Sequence, residues 1–157
     1  MQKDLRRKDK AQPPEEIVRI LEASKICTLA VITQDGQPYS VPMGFIYLDG
    51  EFYIHSALAG QKYEALLKNP QISFSVVEDT VQAPPGRFTL HYRSVIGFGR
   101  VVAVEDNGLV RKILWDFTQK YDPSVKKSTF DEYTKKLLGM TAVFRVEIDN
   151  ITAKGNR

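Results

Sequence analysis

Residues 26–55 read ICTLAVITQDGQPYSVPMGFIYLDGEFYIH, and they decide the fold. ICTLAVIT is rich in β-branched residues and ends at Asp35-Gly36, a pair that favours the positive backbone dihedrals of a hairpin turn. The return run, 37–48, carries Tyr39, Val41, Met43, Phe45 and Tyr47 at period two, so one face is apolar. Asp49-Gly50 predicts a second hairpin turn and makes 51–55 the third strand of a meander. Pro42 falls in the middle of the return run. Proline donates no hydrogen bond to a ladder, which predicts an edge or irregular segment there, with backbone free for something other than a neighbouring strand.

Downstream, EFYIHSALAGQK (51–62) runs from an apolar strand through a small polar turn into a helix expected over 60–67. A helix start presents unpaired N–H groups and the positive end of the helix dipole to whatever His55, Ser56 and Lys62 surround. That is anion-binding chemistry, with a phosphate as the natural guest. An ordinary strand-to-helix loop, its serine capping the helix and its lysine solvated, has the same pattern and stays open as a reading.

Outward from this centre, Pro13 and Pro14 start an N-terminal helix with Glu15 and Glu16 in its first turn and Ile17, Ile20 and Leu21 on one stripe. Asn69-Pro70 stops the helix after the polar turn, and 72–77 forms another strand. Residues 87–105 form a single extended region, too long for one straight strand, with Gly97 and Gly99 where a bulge would let a sheet curl. Leu109, Ile113, Leu114 and Phe117 mark a helix ending before Asp122-Pro123. Thr129 and Glu132 have capping-box spacing for another helix, running through Leu138 and closed by Gly139. The last strand spans 141–148, and 149–157 reads as a tail. The sum is an α+β fold, mainly antiparallel: a small barrel of about six strands with flanking helices.

Length and composition fit one globular domain: 157 residues, 43% hydrophobic and 26% charged, with no repeats or low-complexity tract. The net charge of +3 comes from Lys3, Arg6, Arg7, Lys8 and Lys10 in a basic arm, 1–12, while the remainder is nearly balanced. Such an arm is solvated or contacts a phosphate. Nucleic-acid binding would need aromatics interleaved with lysines on one face, which the chain does not have. No stretch suits a membrane span or a signal peptide, so the cytoplasm is the expected compartment. The lone Cys27 lies in an apolar run and packs as a small hydrophobe. With only His55 and His91 beside it, a zinc site lacks ligands. GxGxxG, Walker and GxSxG patterns are absent, which sets aside dinucleotide folds, P-loops and serine hydrolases. A phosphate site with an aromatic neighbourhood suits a phosphorylated planar cofactor.

RRKDK (6–10), the run from Asp35 through EFYIHSALAGQKYEALLKNPQISFSV, and YRSVIGFGRVVAVED (92–106) together resemble the FMN-binding split-barrel family, the pyridoxamine 5′-phosphate oxidase-like proteins, most closely its nitroimidazole-resistance branch. The match runs from about residue 5 to 148 and is weakest over the helical insert, 109–138. The resemblance implies a split β-barrel binding FMN. Ser40, Val41, Pro42, Met43, Gly44 and Phe45 match the strand whose backbone lies along the isoalloxazine, with Gly44 where a ring comes close. His55, Ser56, Gln61 and Lys62 match the positions that hold the phosphate and ribityl chain, and Ser94 matches a flavin contact on the long strand. Gln61 stands where the oxidases have an arginine, so positive charge could come from Arg6, Arg7 or Arg93.

The resemblance also implies a homodimer with FMN at the subunit interface. His55 is the candidate for proton transfer as well as cofactor contact. Trp115 and Tyr92 could line a substrate pocket or simply pack in the core, and His91 reads as structural or exposed. The expected activity passes electrons from NAD(P)H through FMN to a small organic acceptor of nitroaromatic or quinone type. The alternative is a non-catalytic FMN or haem protein for storage or sensing on the same barrel. NITAKGNR lacks the C-terminal arginine and histidine pattern of true pyridoxamine-phosphate oxidases.

Overall fold

The computed structural model describes residues 3–156, so Met1, Gln2 and Arg157 of the expected arm and tail lie outside the described residues. Strands β1 (Ile26–Ile32) and β2 (Pro38–Gly44) form the first hairpin, and β3 (Ile46–Leu48) pairs with β4 (Glu51–Ala57) as the second. Asp49 and Gly50 both have positive φ, 52° and 80°, the mirror-image turn that their sequence favours. The Asp35-Gly36 turn is wider: Ile32 pairs with Pro38, and Thr33 N–H donates to Gln37 O at 2.8 Å. Helix α1 (Pro14–Ala23) precedes β1. After β4 come α2 (Gln61–Lys68), β5 (Gln71–Val77), β6 (Arg93–Ala103), α3 (Asn107–Tyr121), α4 (Lys127–Leu137) and β7 (Thr141–Gly155).

All pairings are antiparallel, in the order β2-β1-β5-β6-β7-β4-β3. The two edge strands of the curled sheet, β2 and β3, are consecutive in sequence and are separated only by Phe45. The expected single return strand is therefore two strands, and the sheet has seven rather than about six. Pro42 does not interrupt β2. It sits opposite Thr28 on an edge strand, where its missing N–H costs no ladder bond.

Gly97 and Gly99 do curl the sheet. The β6–β7 register slips between Phe98 and Gly99, leaving Asp149 as the extra residue. A Cβ on Gly99 would lie 2.1 Å from Glu147 O, and one on Gly97 would lie 2.2 Å from the Phe74 ring. Inside the barrel Phe45, Phe52 and Phe74 stack with centroids 4.8 and 4.2 Å apart. Ile20 and Leu21 of α1 and Ala65 and Leu66 of α2 join this core. A second cluster forms where Val110, Ile113, Leu114 and Phe117 of α3 and Phe130 of α4 cover Ile46, Tyr53 and Val143.

Three expectations are corrected. The expected tail, 149–157, is strand over its residues 149–155, because β7 continues to Gly155 and pairs Ala153 with Val95. Alternation is weak there because β7 has lost its β4 neighbour beyond Val146. The described part of the arm is tied down: Lys8–Lys10 forms a 3₁₀ turn, and Gln12 N–H donates to Ala153 O at 3.0 Å. Thr129 does not cap α4, which begins at Lys127, so Thr129 is already inside the helix.

Candidate functional site

Along β4 the side chains alternate. Phe52 and Ile54 enter the barrel, while Tyr53 and His55 face α3. The His55 ring meets the edge of Phe117 at 4.6 Å and 80°. Its side chain is exposed towards two clefts, yet neighbouring atoms strip enough water from the ring to lower its pKa, with Lys62 adding a smaller push in the same direction. The imidazole is therefore held neutral near pH 7, able to donate from one nitrogen and accept at the other.

Helix α3 reaches this place because Asp106 caps it, accepting from Leu109 N at 2.7 Å, and because Phe117 and Tyr121, four residues apart, share one face. Tyr121 and Lys120 then meet the gap in the sheet. Phe45 belongs to neither edge strand, so its backbone groups need other partners. Its N–H donates to Tyr121 Oη at 2.8 Å, and its carbonyl accepts from Lys120 Nζ at 3.0 Å. The Tyr121 hydroxyl has its own short bond to Lys25 O, 2.5 Å. Lys120 Nζ also lies 4.0 Å above the Phe45 ring, and burial drops its pKa to about 8.

Gly44, Ile26, His55, Phe117, Thr118 and Tyr121 line a cleft of about 400 Å³. Two of the sequence candidates, Gly44 and His55, thus share one site. A Cβ on Gly44 would lie 3.0 Å from Tyr121 Oη, so the ring that approaches this glycine within the chain is the tyrosine. Lys62, in the first turn of α2, is half-buried near His55 and Cys27. Burial lowers its pKa, and no carboxylate among the described residues pairs with it. Gly60, at φ 100°, places the N-terminus of α2 beside it. Gln61 is exposed at the first helical position.

Other candidates lie elsewhere. Ser56 is buried near the end of β4 and donates to Ala57 O at 2.8 Å instead of capping α2. Val41 and Met43 pack on the barrel core, as does Phe45, whereas Ser40 and Pro42 face outward with Gly44. Ser94 lies on β6, three strands from β2, opposite Val77 and Lys154. Of the three arginines, Arg7 pairs with Asp9 at 2.6 Å and Arg93 with Glu16 at 3.1 Å, while exposed Arg6 has no ion pair among the described residues. Lys62 and Lys120, neither with a carboxylate partner among the described residues, both lie near Cys27, whose buried thiol is pushed up to about 12. Trp115 packs edge-on against Phe130 at 5.0 Å, and His91 bridges to Gln82 through the backbone. Phe117, Thr118, Lys120 and Tyr121 were not among the sequence candidates. The spacing of Phe117 and Tyr121 was their one legible signal.

A phosphorylated planar cofactor fits this donor set. The Lys62 ammonium and the first-turn N–H groups of α2 suit a phosphate, and the aromatic cleft suits a flat ring.

A family model described as pyridoxamine 5′-phosphate oxidase matches residues 13–155. The chain belongs to this family. Among solved structures, a conserved hypothetical protein of Mycobacterium tuberculosis superposes with a TM-score of 0.82 at 20% identity, covering 98% of this chain and 91% of that one. A protein assigned to 5-nitroimidazole antibiotic resistance in Bacteroides thetaiotaomicron gives 0.77 at 23% identity, covering 92% and 85%. An FAD- and haem-binding protein of Mycobacterium smegmatis gives 0.77 at 24% identity, covering 94% and 73%. No curated protein sequence matches significantly. These structures share the split-barrel fold of the pyridoxamine 5′-phosphate oxidase family, and no helix among the described residues is long and apolar enough to cross a membrane.

Proposed function

We propose that this protein binds FMN and passes electrons from NAD(P)H to a small organic acceptor of nitroaromatic or quinone type. The observation that carries this reading is Lys62: a half-buried ammonium without a carboxylate partner among the described residues, at a helix N-terminus beside the His55 cleft. Lys62 and the α2 N-terminus hold the phosphate. The β2 backbone near Gly44, with Phe117 and Tyr121, holds the ring in the cleft, and His55 lies on the same wall. When bound, flavin accepts the two electrons and proton of a hydride from NAD(P)H and delivers them to the acceptor, whose second proton comes from solvent. The protein's part is to anchor, orient and keep a neutral imidazole beside the ring. The likeness to a nitroimidazole-resistance protein is consistent with this acceptor class.

The active form in this proposal is a homodimer. On the outer sheet face Ile26 is 54% exposed, Val77 48% and Ile96 42%, alongside small residues such as Ala30, Ser73 and Ser75. A face of exposed apolar and small residues of this kind suits a second copy, and Ser94 lies on it.

The visible spectrum of the purified protein, followed by chromophore extraction and anaerobic addition of NADH and NADPH, tests the proposal. Flavin that bleaches with either donor supports it; a flavin that neither donor reduces makes the chain a carrier. The second reading, haem binding, is favoured by one observation: the neutral His55 beside an apolar cavity is a competent iron ligand. A Soret band in place of a flavin spectrum would establish it.

A further inference from the structure

The helical insert builds a second chamber. Between α3, α4 and the end of β4 lies a cavity of about 460 Å³, lined by Leu114, Phe117, Phe130, Leu137 and Met140, with His55 at its boundary. It falls in the size range of small-molecule sites. It also shares His55, Phe117 and Thr118 with the Gly44 cleft, so the two spaces meet at one wall.

The chemistry of the lining is one-sided. No lysine, arginine, aspartate or glutamate contributes to it. Its hydroxyls are mostly spent on backbone: Thr118 Oγ1 donates to Leu114 O at 2.9 Å, Thr134 Oγ1 to Phe130 O at 2.9 Å, and Ser56 Oγ to Ala57 O at 2.8 Å. What remains polar is the imidazole of His55, the hydroxyl of Thr141 and that of the 64% exposed Tyr133, all uncharged. A phosphate or carboxylate entering here would lose its water and find no cation to replace it. A flat, uncharged ring loses little water and gains aromatic contacts.

We propose that this cavity is the binding site for an uncharged aromatic molecule, a quinone or nitroarene bearing no anionic group, with the His55 N–H donating to its oxygen. Resting on the flavin reading above, this molecule is the electron acceptor, and the cavity is what rejects charged analogues. The nicotinamide donor, which carries phosphates, does not enter it.

The single tryptophan reports on occupancy, because Trp115 packs against Phe130, and Phe130 is part of the cavity wall. The purified protein is titrated with menadione and with naphthoquinone sulfonate, following Trp115 quenching and confirming the affinities by equilibrium dialysis. Bound flavin is measured by absorbance in the same samples. Menadione should bind on the order of tenfold or more tighter than the sulfonate, since the sulfonate must be desolvated without a partner. In Leu137→Lys that preference should shrink or reverse. Met140→Lys, at a 64% exposed position where lysine does not threaten folding, should move it the same way. Equal affinity for the two probes in the natural protein, or an unchanged preference in a folded Met140→Lys variant, overturns the site. Selective menadione binding without bound flavin overturns the flavin reading but supports the site, and bound flavin without selectivity does the reverse.

Discussion

Tyr121 Oη accepts the backbone N–H of Phe45 at 2.8 Å across a sequence gap of 76 residues. One phenol at the end of α3 thus satisfies the backbone of the single residue that joins the two edge strands. Tyr121→Phe removes that acceptor and the donor to Lys25 O together. The variant should lose about 1–3 kcal/mol of stability, the usual cost of stranding a partly buried donor. Urea denaturation measures it; a midpoint unchanged from the natural protein would mean that water replaces the phenol.

Gly44 and Tyr121 are coupled by space. Alanine at 44 would bring a methyl group to 3.0 Å from the hydroxyl, tighter than ordinary contact. Gly44→Ala alone should cost about 1–3 kcal/mol through overpacking. In the Tyr121→Phe background the crowding oxygen is gone, and the same substitution should cost less by about 0.5–1 kcal/mol, a double-mutant cycle that simple additivity would refute.

Lys62→Ala should weaken FMN retention by roughly 1.5–3 kcal/mol, the worth of a charge-assisted hydrogen bond, with little change in thermal stability of the flavin-free protein. Equilibrium dialysis against FMN checks it. Unaltered affinity removes Lys62 from the phosphate site.

Lys120 gives a pH signature. Its folded pKa, about 8, lies below the ordinary lysine value of 10.5, so between these values the unfolded chain binds more protons. Stability attributable to Lys120 should therefore rise with pH from about 8 to 10.5. The difference in urea midpoint between the natural protein and Lys120→Met isolates this effect from the other titrating groups. A difference that is flat with pH contradicts the buried ammonium.

His55 acts at the other end of the scale. Its folded pKa lies below 6.5, so as pH falls through that value the unfolded state takes up the proton first and stability is lost. His55→Gln should remove that component of acid sensitivity, read by comparing melting temperatures at pH 7.5 and 5.5.

The hairpins of 26–55, the stop at Asn69-Pro70 and the bulge at Gly97 and Gly99 were legible because each is fixed by local dihedral preference or by period-two burial. The reach of β7 to Gly155 was not, since a strand paired on one side only has no reason to alternate strictly. Lys62 and His55 could be read from a strand-to-helix junction. Lys120 and Tyr121 could not, because their role depends on α3 returning to Phe45 from far along the chain, a tertiary contact with no local pattern. Ser94 came from the family resemblance alone, and only sheet order reveals that it lies three strands from β2.

The order of the strands also has a kinetic side. Phe52 pairs with Val146 across most of the chain, and the two helices of the insert must be threaded between β6 and β7 before that ladder can close. The hairpins β1–β2 and β3–β4 are local and cheap to form, whereas the β4–β7 seam closes a long loop and costs more chain entropy. Because His55 pairs with Val143 on that seam, the wall shared by cavity and cleft is held by a strand that is made last along the chain, and a chain interrupted before β7 would lack that support for His55.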